Sequence, residues 1–163
     1  MTKYRRHIDY FDRNVVGISK VVSSDPAREA LTGVLFEPDE NTTKAVASDG
    51  FMLAIAKTEA KLTGLIPGKA FMSKSIVSEN DNGSITVARS GESFTRVYQK
   101  LDKEFFPKYQ KIADEKQENP RRFGLGLGVL EKVVAMMKAS GNTILELNIP
   151  ENTLKPIKGK AGE

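Results

Sequence analysis

The stretch Thr43–Glu59, TKAVASDGFMLAIAKTE, decides how this chain is read. Two arms rich in Ala, Val, Ile and Leu flank the pair Asp49-Gly50. Asp-Gly between strand-like arms predicts a β-hairpin, because both residues tolerate positive φ in a tight turn. Each arm carries Ala at alternate positions (Ala45 and Ala47, then Ala54 and Ala56), so one face of the hairpin sits close against something such as a helix. The preceding LTGVLFE, Leu31–Glu37, adds a third strand across the polar link Pro38-Asp39-Glu40-Asn41.

On the N-terminal side, Ile8, Phe11, Val15, Ile18 and Val22 recur in steps of three and four, which predicts one apolar helical face. Arg13, Gly17, Lys20 and Ser24 follow the same spacing on another, mildly basic face. Pro26 ends this helix, since it disfavours a helical Asp25 before it. On the C-terminal side, LTGLIPGKAFMSKSIV has room for a short strand and a short helix. Ser84–Arg89 and Ser93–Leu101 read as strands around a Ser90-Gly91 turn, and the charged, Pro-flanked run from Lys103 to Pro120 reads as a connector. A second helix follows, with Leu127, Leu130, Val134 and Met137 on one face and Gly141 as its stop. TILELNIP and LKPIKGK then predict two strands around a Glu151-Asn152 turn.

This order gives an α+β class, with antiparallel strands and helices set apart from them. The 163 residues are expected to form a single domain, 1–163, with similar halves at about 1–60 and 115–163 and a middle sheet region at 61–114. The helices are expected to cover one sheet face and turn their basic sides outward.

The chain has no cysteine, which excludes disulfides, zinc–thiolate sites and thiol catalysis. It carries no signal-like N-terminal run and no long apolar stretch, so a cytoplasmic protein without a membrane span is expected. A formal charge of +4 permits nucleic-acid binding without demonstrating it. Tryptophan is absent and the aromatics are not interleaved with Lys or Arg, which argues against a single-strand stacking platform. His7 is the single histidine and has no companion for a metal site or a catalytic triad. The carboxylates fall mostly in turns, with no acid–base pairing. GLGLGVLEK, Gly124–Lys132, places Val129 where the dinucleotide pattern needs its third glycine, and it lacks the Gly-Lys-Ser/Thr of a P-loop. No cofactor and no enzymatic activity are expected.

Three segments carry a family resemblance. LTGVLFEPDENTTKAVASDGFMLAIAK resembles the hairpin region of the bacterial DNA polymerase III β sliding-clamp family. That family reads Leu-x-Gly-hydrophobic-Leu-hydrophobic-Glu, a link, then Val-Ala-Thr-Asp-Gly-His-Arg-Leu-Ala. EFFPKYQKI, Glu104–Ile112, is similar to the family's Gly-x-Phe-Pro-Asp-Tyr-x-x-hydrophobic segment. FGLGLGVLEKVVAMMKASGNTILELNIPENTLKPIKG is similar to the closing half of a clamp domain. The three keep their order and span most of residues 8 to 159.

The resemblance implies a DNA-clamp fold with pseudo-two-fold halves: curved antiparallel sheets outside, and two helices lining a ring around duplex DNA. It implies non-specific phosphate contacts from Arg13, Lys20, Arg28, Lys132 and Lys138. It also implies a greasy pocket for a short peptide of a polymerase or repair partner. Its lining, carried over by position, is Leu31, Ser48, Gly50, Phe51, Met52, Leu53, Pro107, Lys111 and Ile112. The physical alternative is that Phe51 and Leu53 simply pack in the core. Phe51-Met52 replaces the family's His-Arg, which removes a charge and adds adaptable apolar surface.

The family's chain carries three such domains and two chains close the ring. This chain has length for one, so a ring would take six copies, or partners, and a homo-oligomer is expected. The tail that helps form the family's pocket is missing, since the sequence ends at KGKAGE, and a chain this short suits a phage or mobile-element version. Two other readings stay open: a lone clamp domain that holds partner peptides or a host clamp without encircling DNA, and an enzyme using nucleotide at Gly124–Gly128.

Overall fold

The computed structural model describes residues 8–71, 75–89, 95–114, 126–142, 144–148 and 158–162. The hairpin is present. Strands β2 (Gly33–Asp39), β3 (Thr42–Ser48) and β4 (Leu53–Thr58) pair antiparallel, with β5 (Gly64–Pro67) on the far side of β2. The resulting sheet has the order β4-β3-β2-β5. Pro38 and Asp39 belong to β2, so the link to β3 narrows to Glu40-Asn41.

The register puts Ala45 opposite Ala56 and Ala47 opposite Ala54. These small side chains make a shallow strip on one sheet face. Helix α1 (Arg13–Ile18) lies against β3 and β4 there, and its Val15 and Ile18 share a buried core with Ala45, Ala47 and Ala54. The alternating alanines therefore mark where a helix docks. The opposite face carries Val46, Leu35 and Leu65, which bury against Phe106 and Tyr109.

The N-terminal helix is shorter than the periodicity predicts. Ile8–Tyr10 is a strand, β1, and α1 starts only at Arg13. Asp12 sets that start: its Oδ1 accepts from the Val15 N–H at 2.9 Å, and its Oδ2 accepts from the Thr58 hydroxyl at 2.6 Å. Capping and a tie to β4 thus fix the helix N-terminus. The helix does not reach the predicted break at Asp25-Pro26: α1 ends at Ile18, and Asp25-Pro26 is instead a beginning. Asp25 caps two 3-10 turns over Pro26–Thr32, with Pro26 in the first and a kink between them at Arg28, whose φ of −109° and ψ of 57° are not helical.

The middle region forms a second sheet in the order β1-β6-β7-β8, with β6 at Ser75–Glu79, β7 at Ile85–Arg89 and β8 at Thr95–Tyr98. Its Val77, Ile85 and Val87 join the core beneath α1, together with Phe11, Phe36 and Phe71. A short helix α2 (Gln110–Asp114) lies in the predicted connector. Helix α3 runs over Leu127–Ser140 and stops at Gly141, whose φ of 78° is the left-handed cap that glycine tolerates. β9 (Ile144–Asn148) pairs antiparallel with β10 (Lys158–Gly162). His7, Gly124 and the expected Ser90-Gly91 and Glu151-Asn152 turns lie outside the described residues.

Two expectations about the helices are corrected. Gly17 is not part of an exposed polar face but is buried where α1 meets α3; an added Cβ would sit 2.9 Å from the Met136 carbonyl oxygen. The apolar face of α3 points outward, with Leu127 at 72% exposure. The side of α3 toward Met136 and Ser140 packs on α1 instead, because a glycine there lets the two backbones approach. The observed class is α+β, with antiparallel sheets and helices packed beside them.

Candidate functional site

The hairpin tip is a four-residue loop, Asp49–Met52, and not a two-residue turn, since Ser48 pairs with Leu53. Only Gly50 has positive φ, at 93°. Asp49 organises the loop through its side chain: Oδ1 accepts from the N–H groups of Phe51 at 2.9 Å and Met52 at 2.7 Å. The Ser48 hydroxyl accepts from the Gly50 N–H at 3.1 Å. Lys132 of α3 donates to Oδ2 of Asp49. Arg28, in the 3-10 helix, donates to the Asp49 carbonyl at 3.0 Å and to Asp25 at 3.1 Å.

Asp49 is thus a buried carboxylate with every neighbour arranged to keep it charged. Burial pushes its carboxyl up. The bond from Lys132, the N–H groups of Phe51 and Met52 and the Lys132 charge outweigh that, so the group sits below its ordinary value of 3.8.

This framework holds Phe51 outward at 88% exposure. Its ring lies 6.0 Å from the Arg28 guanidinium carbon. Beside it runs an open groove of about 350 Å³, lined mainly by Arg28, Ala30, Leu31, Asp102, Phe105 and Pro107. Phe105 is 78% exposed while its neighbour Phe106 is buried in the core. A large apolar ring held in water is the kind of surface that anchors a partner's side chain.

The carried-over pocket residues separate into groups. Leu31 and Pro107 line the groove, and Gly50 lies near it through Leu31 and Arg28. Phe51 is free in water beside it. Ser48 is buried and bonds the loop backbone. Met52 packs toward the main core, and Leu53 toward the cluster of Leu35, Val46 and Phe106. Lys111 is exposed on α2, and the side chain of Ile112 lies outside the described residues. Sequence reasoning missed the contributions of Ala30, Asp102 and Phe105. The Asp-Pro start of the 3-10 helix was a readable signal for the first, and the repeated Phe of EFFP for the last.

The five cations also separate. Arg13 and Lys20 are exposed at the start of α1 and just after it. Arg13 reaches the C-terminal end of α3, where its Nη1 lies 3.6 Å from an added Gly141 Cβ, a favourable place for a positive charge. Arg28 and Lys132 both converge on Asp49. Lys138 is exposed on the apolar side of α3.

Among the described residues no cluster of His, Cys, Asp and Glu is placed to hold a metal, and no helix is long and apolar enough to cross a membrane. Gly126 caps α3 and Gly128 lies in its first turn, and among the described residues nothing sits within 4 Å of a Cβ added at either.

A scan against protein-family models and a search of curated proteins give no match. A search of solved structures finds similarity to DNA polymerase III subunit beta from Borrelia burgdorferi, determined in complex with a natural product. The two share 20% identity and a TM-score of 0.51, over 72% of this chain and 35% of that one. The likeness supports a clamp-like fold, and this chain spans about a third of that chain's length.

Proposed function

We propose that this chain is a clamp-like, non-enzymatic protein that contacts duplex DNA without sequence preference and tethers a replication or repair factor through a short peptide. The observation that carries the reading is a clamp-like fold that presents a firmly held, exposed Phe51 beside an open groove. A fold alone hosts many functions, so the weight rests on the hairpin tip. The peptide's apolar anchor, a Leu or Phe, would lie against Phe51, Leu31 and Pro107. Arg13, Lys20 and Lys138 would supply salt-sensitive phosphate contacts.

Binding of a fluorescent peptide with Leu and Phe anchors tests the tethering half. Saturable binding that weakens about tenfold or more in Phe51→Ala supports it. No binding, or binding indifferent to Phe51, removes it.

One observation favours a second reading. Asp49 engages both Arg28 and Lys132, which diverts two of the five cations from phosphate. A peptide-holding adaptor that does not encircle DNA needs none of them. Peptide binding without retention on DNA selects that reading.

A further inference from the structure

Helix α3 turns its apolar side away from the chain. Leu127, Leu130 and Val134 are 72%, 40% and 40% exposed, and Glu131, Ala135 and Lys138 complete one continuous strip with them. Their steps of three and four are those of a face made for burial. The opposite side of the helix already rests on α1 through Met136, Ser140 and Gly17. An amphipathic helix gains most of its stability from the burial of such a strip.

We infer that this strip is a self-association surface, where two copies of this chain pair α3 against α3 in antiparallel fashion about a two-fold axis. The pattern of charge carries the inference. Glu131 and Lys138 lie on the same edge of the strip, about 20° apart around the helix. Each lies about 5 Å along the axis from the point midway between Val134 and Ala135. Antiparallel pairing about that point sets Glu131 of each copy opposite Lys138 of the other, twice, on one edge. In-register parallel pairing would instead carry Glu131 and Lys138 of the two copies to opposite edges, so that neither ion pair forms. Ala135 lies about 40° beyond Glu131, at the outer margin of the charged edge, while Val134 and Leu130 fill the other edge.

An isologous contact needs a patch complementary to itself, and this strip has that property. The inference goes beyond the clamp reading and does not depend on it. A head-to-tail ring joins two different patches, whereas this pairing uses one patch twice. It also covers Lys138, so the phosphate contact proposed at Lys138 belongs to the unpaired chain.

Sedimentation equilibrium over a concentration series tests it, with circular dichroism on each variant as a check of folding. The positions changed are exposed, so the fold is expected to persist. The native chain is expected to approach the mass of two copies, and Leu130→Glu to remain at one. Glu131→Lys is expected to raise the dissociation constant at least about tenfold through like charges facing each other. The double variant Glu131→Lys with Lys138→Glu is expected to restore it to within a few-fold of the native value. A native chain of one-copy mass throughout overturns the inference. So does a dimer indifferent to Leu130→Glu, or a double variant no better than the single. Retention on circular DNA, measured in parallel, reports on the clamp reading separately.

Discussion

Lys132 of α3 donates to the buried carboxylate of Asp49, 83 residues earlier at the tip of the hairpin. The same carboxylate accepts two N–H groups of its own loop, so a single group ties the helix to the hairpin and holds Phe51 outward. Asp49→Asn removes the charge and the ionic bond to Lys132. It is expected to cost about 1–3 kcal/mol of stability at neutral pH, measured by urea unfolding. Because the folded-state carboxyl lies below its ordinary value of 3.8, its contribution is complete above that value. It is lost as the pH falls through the lower folded value. The gap between native and Asp49→Asn proteins should therefore close in acid below 3.8 and stay constant from pH 5 to 8. A gap that widens in acid contradicts this assignment.

Gly50 occupies the one position in the loop with positive φ, and an added Cβ would sit 2.9 Å from Arg28 Nη1. Gly50→Ala combines backbone strain with displacement of that guanidinium. A loss of about 1–2 kcal/mol is expected in thermal or urea unfolding. An Arg28→Ala background should relieve the part due to crowding and leave the part due to backbone.

Phe51 and Leu53 are two residues apart but do different work. Phe51→Ala is expected to change stability by less than about 0.5 kcal/mol, since the ring is 88% exposed. Leu53→Ala is expected to cost about 1–3 kcal/mol, because its side chain packs on the cluster of Leu35, Val46 and Phe106. Equal losses in the two variants would place Phe51 in the core.

Gly17 is the contact point of α1 and α3, with a virtual Cβ 2.9 Å from the Met136 carbonyl oxygen and 3.1 Å from the Ser140 Cβ. Gly17→Val should push the helices apart and destabilise the chain by about 1–3 kcal/mol. Hydrogen exchange should then rise in α3, which packs on the chain chiefly through α1.

The hairpin was legible because two signals agree there: strand-like arms and an Asp-Gly tip. The alternating alanines even marked the face that α1 covers. The geometry of the loop was not legible: the Asp49 N–H still donates to the Met52 carbonyl at 3.3 Å, but the Asp49 side chain, in place of its carbonyl, accepts from the Met52 N–H. The long N-terminal helix was misread for a related reason. Steps of three and four run through Ile8 to Val22, but Ile8–Tyr10 gains more by pairing with β6, and Asp12 caps the helix late. On α3 the spacing correctly gave a helix with one apolar face. It could not say which face meets the chain, because that is decided by Gly17 on another helix. At the site, Leu31 and Pro107 follow the resemblance into the groove, whereas Ser48 and Met52 turn inward. Arg28 and Lys132 looked like surface cations until the fold placed Asp49 between them.

The central proposal is that this chain works as a clamp on duplex DNA, and its strongest form, closure of several copies or partners around the duplex, is tested most directly by topology. The protein, with and without a prior loading step by a replication extract, is passed with nicked circular duplex over a sizing column, and the same DNA is then linearised. The account predicts salt-resistant retention on the circle that is lost on linearisation, because a closed ring would slide off free ends. Retention that is the same on circle and linear DNA and fades smoothly with salt, or no retention at all, would contradict it.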